Sequence, residues 1–377
     1  MCSCNDKTEF HRDDKGFMKP EIKGDDINFC DKICPASGKY TEYIDSDDIW
    51  GNWKEVFLGW STDEYIRKTA SSGGVITSIC CYLLDNHIVD GIIQTKAAKD
   101  VVYRTETVIS RSREDVLECM GSRYSASYPL YNLKKIIRDD EVYAFVGKPC
   151  DVSALRMYLK EDVALASHFK YLLSFFCAGV PGELAQKNLL KALDSGEDCV
   201  ELRYRGNGWP GYATAKKSNG EEKAMTYAES WGNILGRDIK KSCRFCFDGV
   251  GDMADIACGD AWYMNDDGEP DFSEHDGRNV IFVRTDAGCE LFDNILRSNA
   301  IEATDYREQL DDLKKIQKFQ FERRATMKSA LQALRISKKQ GPHYSKKIMN
   351  KYSSKVSLRV RLGRFVGTVK RVKAGKI

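Results

Sequence analysis

The chain has 377 residues and a mass of 42.7 kDa, 42% of it hydrophobic and 30% charged, which is the composition of a globular protein of two to three domains. No apolar stretch reaches the ~18 residues a membrane span needs, and the charged first twenty residues lack the apolar run of a signal peptide, so the cytoplasm is the expected location. The net charge of +2 hides a polarised chain: fourteen of the 58 Lys and Arg lie in residues 335–377, which hold no Asp or Glu, leaving 44 basic against 56 acidic groups in the remainder. An acidic body excludes a nucleic-acid-binding core, since neutralising phosphates requires a basic face.

Residues 1–45 read as a loop-rich leader bearing Cys2, Cys4, Cys30 and Cys34. From about Tyr65, β-branched and aromatic runs alternate with amphipathic helical patterns, the rhythm of α/β units. Strands are predicted over 88–95 and 101–109, and helices over 112–120 and 129–138, the first opened by a capping box of Ser112 and Asp115. Strand 141–147 runs through a KPC turn into a helix from Asp151, and strand 170–176 runs through CAGVPG into a helix from Glu183. The 27 residues between Cys150 and Cys177 suit a βαβ crossover, which would bring both thiols to the C-terminal ends of parallel strands, where such sheets bind ligands. A hairpin-rich insertion follows, with runs at 200–205 and 212–217 around the loop GNGWPG. Then come a strand over 279–285, a helix over 287–297 and further helix to about Ile336, where Gly341 and Pro342 break the pattern. In the tail, Leu358, Leu362, Phe365, Val369 and Val372 recur at helical spacing between Arg and Lys, an amphipathic basic helix suited to an anionic membrane surface or an acidic partner, or else a solvated tail.

Fourteen cysteines are too few for a disulfide scaffold of this length, and in a reducing compartment they point to a soft metal such as zinc or iron–sulfur. Cys243-Arg-Phe-Cys246 sits among Arg237, Lys240, Lys241 and Arg244, cations that favour thiolates. With Cys150 and Cys177 it completes four thiols, the usual set for a 4Fe-4S cluster and for structural zinc alike. Cys30 and Cys34-Pro35 match the end of a ferredoxin run, but Ile27 and Gly24 stand where its first two cysteines belong, so a degenerate remnant is expected. Cys80, Cys81, Cys119, Cys199 and Cys289 read as core residues, with Cys258 a reserve ligand. His11, His87, His168, His275 and His343 lack metal spacing, and neither a nucleophile elbow nor an HExxH motif occurs. Ser71-Ser72-Gly73-Gly74, opening a helical run, is either a phosphate cradle at a helix N-terminus or a plain helix cap; Gly121-Ser122-Arg123-Tyr124-Ser125 adds a cation, hydroxyls and a ring.

Six segments in order, RKTASSGGV (67–75), GSRYSAS (121–127), VGKPCDVSALR (146–156), FCAGVPGELA (176–185), RGNGWPG (205–211) and CRFCFDGVGDMADIACGDAW (243–262), resemble the beta-subunit family of coenzyme F420 hydrogenases and dehydrogenases over roughly residues 50–300. The resemblance implies an α/β fold with a mixed sheet and flanking helices, a loop-rich leader and a helical basic tail. Its parts would be a degenerate ferredoxin-like leader (1–45), a flavin-binding part (46–165), an iron–sulfur and flavin part (166–336) and the tail (337–377). It implies that Cys150, Cys177, Cys243 and Cys246 ligate a 4Fe-4S cluster, and that Ser71, Ser72, Gly73, Gly74, Ser122, Arg123 and Tyr124 line an FAD site. Lys148 and Cys258 replace small hydroxyl residues common in relatives, and the charge of Lys148 would act on the cluster potential. The expected function is an FAD- and iron–sulfur-dependent oxidoreductase that takes electrons from a ferredoxin or a partner redox subunit and passes them to a small-molecule or sugar acceptor, as in surface-polysaccharide pathways. No nucleic-acid partner is expected, and the tail would place the protein at the inner face of a membrane. The rival readings are a four-Cys zinc scaffold that has lost redox activity and a thiol-redox enzyme using Cys243 and Cys246.

Overall fold

The computed structural model describes residues 9–13, 16–21, 26–44, 46–375 and 377. Cys2 and Cys4 lie outside them. The architecture is α/β, built on an eight-stranded mixed sheet in the order Ile301–Asp305, Glu55–Ser61, Asn279–Val283, Ile256–Asp260, Phe169–Phe175, Tyr143–Gly147, Gly91–Ala97 and Thr105–Ser110. Neighbours from Ile256–Asp260 to Gly91–Ala97 run parallel, while the strands on either side pair antiparallel.

Alternation along the central strands explains why both faces are covered. Ile93, Phe145, Leu172, Ala257, Val280 and Phe282 join one core with the helix Pro149–Glu161, the leader and the C-terminal helices. Ile92, Ala144, Leu173, Ile256, Ile281 and Val283 join another with the helices Val75–Asp85 and Asp286–Arg297. The predicted crossover is present: Tyr143–Gly147 and Phe169–Phe175 are parallel neighbours with Pro149–Glu161 between them in the chain. Parts 46–165 and 166–336 both contribute strands to this one sheet.

Several local expectations shift. The capping box forms as read, Ser112 Oγ accepting from Asp115 N at 3.2 Å. The helix expected over 129–138 shrinks to Leu133–Ile136, because Asn132 takes a left-handed φ of 55° that a continuing helix does not allow. Strands Glu55–Ser61, Ile256–Asp260 and Ile301–Asp305 carry no strong sequence signal: the first mixes buried and partly buried positions, the second is short with Gly259 inside it, and the third is a polar edge.

The leader, read as loop-rich, is packed. A hairpin pairs Glu9–Arg12 with Met18–Glu21, and helix Asp26–Ile33 leans on Pro149–Glu161, with Phe29 and Tyr158 edge to face at 5.4 Å. Ile33, Tyr40, Ile49 and Trp50 are buried in the main core. The tail helix Leu358–Lys373, N-capped by Ser357, also folds back on the body: Thr368 is buried, and Arg364 Nη2 donates to Arg244 O at 3.0 Å. Its Leu358, Leu362 and Val366 remain exposed. Among the described residues, no helix is long and apolar enough to cross a membrane.

Candidate functional site

The parallel strands end along one edge of the sheet, and a cleft of about 710 Å³ opens there. The RKTASSGGV segment forms one wall. Helix Glu64–Thr69, capped by Asp63, ends at Ala70, and the chain turns through Gly74 at a φ of 75° into Val75–Asp85. Only glycine enters that left-handed conformation without strain. Gly73 lies under the turn: its carbonyl accepts from Ser61 N at 2.7 Å, and an added Cβ would come within 2.9 Å of both Arg278 Cα and Gly59 O.

The site residues named from sequence divide by what their atoms do. Ser71, Ser72, Gly74, Ser122, Arg123 and Tyr124 line the cleft, whereas Gly73 supports it from below. Ser71 Oγ accepts from Ser122 N at 2.5 Å, which joins two segments fifty residues apart. Ser72 Oγ is engaged within the protein, donating to Arg278 O at 2.9 Å and accepting from Asn279 Nδ2 at 3.1 Å. Asn279 is the hub that sequence reading missed, because its Nδ2 also donates to Gly259 O and its Oδ1 accepts from Val75 N. A buried amide at the head of the apolar run NVIFV is the signal that marks it.

Among the described residues, Arg123 lines the cleft without an ion pair, its Nε is buried without a hydrogen-bond partner, and its one hydrogen bond is a long 3.5 Å contact from Nη1 to Ser122 O; burial lowers its pKa. A guanidinium so placed is suited to a phosphate oxygen. Tyr124 instead builds an aromatic wall, with its ring 4.7 Å from Trp231 and 5.5 Å from Tyr204. Deeper in, buried Arg205 pairs with Asp260 (Nη1 to Oδ2, 2.9 Å) and lies over Tyr227, beside Trp209 and Trp262 stacked at 4.6 Å. Flat apolar rings with few polar groups make a wall on which a planar heteroaromatic can stack.

Of the four candidate ligands, Cys177 lines the cleft, two residues beyond the strand Phe169–Phe175. Cys150, second residue of Pro149–Glu161, lies off the cleft wall, while Lys148 beside it lines the cleft and pairs with Asp151. Burial disfavours the ammonium of Lys148, but Asp151 and the nearby thiols outweigh that and its pKa is raised. Cys243 lies within the short helix Lys241–Arg244 and Cys246 two residues beyond its end.

The four thiols are linked electrostatically through Cys177 and Cys246, each of which is coupled to both Cys150 and Cys243. Burial, with a contribution from Cys243, pushes Cys177 up to about 11; burial with Cys243 and Cys177 pushes Cys246 up to about 12; and burial with Asp151 raises Cys150, on which Cys246 and Cys177 also act. Thiolates at these buried positions therefore require a compensating cation, and four soft donors are the donor type that an iron–sulfur cluster or zinc takes. Among the described residues, no three ligand side chains close on one metal position, and Cys246 Sγ is turned to Asp248 O at 2.9 Å. Residues remote in sequence brace this region. Cys177 N donates to Gly249 O at 2.9 Å, and its carbonyl accepts from Gln320 Nε2 and Arg323 Nη2 of the helix Lys318–Ala325. Cys258 is buried in its strand, and burial raises its pKa. Cys80, Cys81 and Cys119 are buried as read, with Cys199 and Cys289 partly exposed.

Comparison with known proteins gives this arrangement a context. The N-terminal profile of the coenzyme F420 hydrogenase/dehydrogenase beta subunit matches residues 56–135 and the C-terminal profile matches 140–309. The coenzyme F420 hydrogenase subunit beta of Methanosarcina barkeri is 27% identical over 298 residues, covering 74% of this chain and 91% of that one. Its namesake from Methanococcus voltae is 25% identical over 275 residues, covering 70% and 88%. The F420-dependent formate dehydrogenase subunit beta of Methanocaldococcus jannaschii is 28% identical over 212 residues, and the match spans about half of each chain. Among solved structures, a chain of the F420-reducing NiFe hydrogenase complex from Methanosarcina barkeri shares the fold at a TM-score of 0.59 and 20% identity, over 80% of this chain and 99% of that one. These relatives are subunits of oxidoreductases, and with both halves of the profile matched in order, this chain belongs to the coenzyme F420 hydrogenase/dehydrogenase beta-subunit family.

Proposed function

We propose that the chain is a flavin-dependent electron-transfer oxidoreductase in which Cys150, Cys177, Cys243 and Cys246 hold a 4Fe-4S cluster and the cleft holds noncovalent FAD. The observation that carries this reading is the continuity of one cleft from Arg123 and the Ser71–Gly74 turn, through an aromatic wall, to Cys177. Such a cluster supplies electrons singly and a flavin exchanges them singly or in pairs, so the protein's task is binding, orientation and exclusion of water. Arg123 would bind a cofactor phosphate, the N-terminus of Val75–Asp85 would add its backbone N–H groups, and Tyr124, Trp231 and Tyr227 would shield the ring system. Lys148 would offset charge on the thiolates of Cys150 and Cys177. The donor would be a partner redox subunit or a ferredoxin and the acceptor a small molecule, including a sugar derivative. The exposed Leu358, Leu362 and Val366 beside the tail's arginines support docking of this end on an anionic membrane surface.

The test is anaerobic purification with iron, sulfide, zinc and flavin quantified on one sample, for the wild type and for Cys243→Ala. About four iron atoms per chain with one flavin, and loss of the iron in the variant, are the expected results. Stoichiometric zinc without flavin would establish the scaffold reading instead, and full iron retention by Cys243→Ala would refute the ligand assignment.

A further inference from the structure

A second cavity, of about 360 Å³, opens beside the Cys-Arg-Phe-Cys loop, with the partly buried Cys243 in its wall. Arg244 from that loop, Glu322 and Arg323 from Lys318–Ala325, and Arg364 and Arg371 from the tail helix all line it. Four guanidiniums thus face one space whose wall holds one acidic side chain, that of Glu322, and the last residue, Ile377, and none of the four forms an ion pair among the described residues. Their hydrogen bonds go to neutral acceptors: Arg244 to Arg237 O at 3.1 Å, Arg364 to Arg244 O at 3.0 Å, and Arg323 to Cys177 O at 3.0 Å and to Gln320 Oε1. Among the described residues, the Nε atoms of Arg323 and Arg364 are buried with no hydrogen-bond partner. Burial, then repulsion from Arg371, Arg323 and Arg244, draws Arg364 down to about 10, with Glu322 only partly opposing it. Asp238 acts on Arg244 in the same opposing sense.

Charge at the cysteines accounts for only part of this cluster. The field of Arg323 reaches Cys177 and Cys246, and that of Cys243 reaches Arg244, so those two arginines have counterparts there. Arg364 and Arg371 are coupled instead to other arginines, and they lie beyond residue 309, where the family profile ends. An unpaired, partly desolvated cation costs the folded state energy that a bound anion would recover. Guanidinium groups pair bidentately with phosphate, and the volume lies in the range of small-ligand sites.

We propose that this cavity is a binding site for a phosphate-ester polyanion, held by Arg364 and Arg371 with Arg244 and Arg323 behind them. A soluble phosphorylated molecule and a phosphomonoester lipid headgroup present the same chemistry, and a lipid would also use the exposed Leu358 and Leu362 of that helix. The site does not depend on the cluster or the flavin. The test uses the full-length protein, titrated calorimetrically with pyrophosphate and sedimented with phosphatidylcholine vesicles with and without phosphatidic acid. Wild type is compared with Arg371→Gln and with Arg364→Gln/Arg371→Gln, each checked for folding by circular dichroism and for iron and flavin content. Saturable pyrophosphate binding weakened about tenfold or more by Arg371→Gln, the loss expected for a charge-assisted contact, supports the site with a soluble source. Phosphatidic-acid-dependent sedimentation lost in the same variant, without pyrophosphate binding, supports it with a lipid source. Absence of both, or binding that a folded Arg371→Gln protein leaves unchanged, overturns it.

Discussion

Replacing Arg324 by Met should destabilise the protein out of proportion to one side chain, because it breaks a charge balance sealed from water. Arg324 Nη1 meets Asp252 Oδ2 at 2.8 Å, with the two side chains 0% and 1% exposed. The guanidinium lies beside the stacked rings of Phe247 and Tyr352, at 4.8 and 5.2 Å from their centroids. Asp248 adjoins the pair, accepting from Val250 N and Gly251 N, and burial with the Asp252 charge raises it to about 6 even with Arg324 present. Arg284, which donates to Val250 O and Trp50 O, is the remaining cation. Methionine keeps the stem's volume but leaves two buried carboxylates facing one cation, and breaking such a pair costs about 3–5 kcal/mol. With an unfolding entropy of roughly 2.1 cal/mol/K per residue, 377 residues carry about 0.8 kcal/mol/K, so the melting temperature should fall by about 4–6 °C. Differential scanning calorimetry measures this directly. Adding Asp252→Asn should recover part of the loss, because it removes the stranded charge. A single variant that loses less than about 1 kcal/mol, or a double variant as unstable as the two single losses summed, would refute the argument.

Two further outcomes follow from other contacts. Gly73→Ala forces a Cβ against backbone at Arg278 and Gly59, so overpacking of about 1–3 kcal/mol should displace the Ser71–Ser72 turn; flavin content after purification should drop, and undiminished flavin with unchanged stability would show that the turn does not depend on this close approach. Glu141, hydrogen-bonded to Arg111 and then Tyr143, has its pKa lowered from 4.5 to about 2. Its folded pKa lies below the unfolded one, so the advantage of wild type over Glu141→Gln is complete above about pH 4.5 and disappears as the pH falls towards 2. Parallel stability profiles for the two proteins across that window, in chemical denaturation, would contradict it.

Local sequence determined much of this protein. The capping box at Ser112, the strand–turn–helix units that carry Cys150 and Cys177, and the paired thiols of Cys243 and Cys246 are all readable within a dozen residues, because hydrogen-bond capping, side-chain periodicity and turn chemistry act over that distance. Sheet order and its consequences needed the tertiary structure. Asn279 and Gly277 lie about two hundred residues from the Ser72 turn they support, and they meet it only because Asn279–Val283 pairs with Glu55–Ser61 and Ile256–Asp260. The buried charges of Asp248, Asp252, Arg284 and Arg324 look like ordinary surface residues in the sequence, since a charge's partner and its access to water are properties of the assembled core. The tail shows the same division: its amphipathic period predicted the helix Leu358–Lys373, but only packing decided that Arg364 and Arg371 turn inward beside Cys243 while Leu358 and Leu362 remain exposed. A helical period fixes which residues share a stripe, whereas the stripe that faces the body depends on surfaces built by distant parts of the chain.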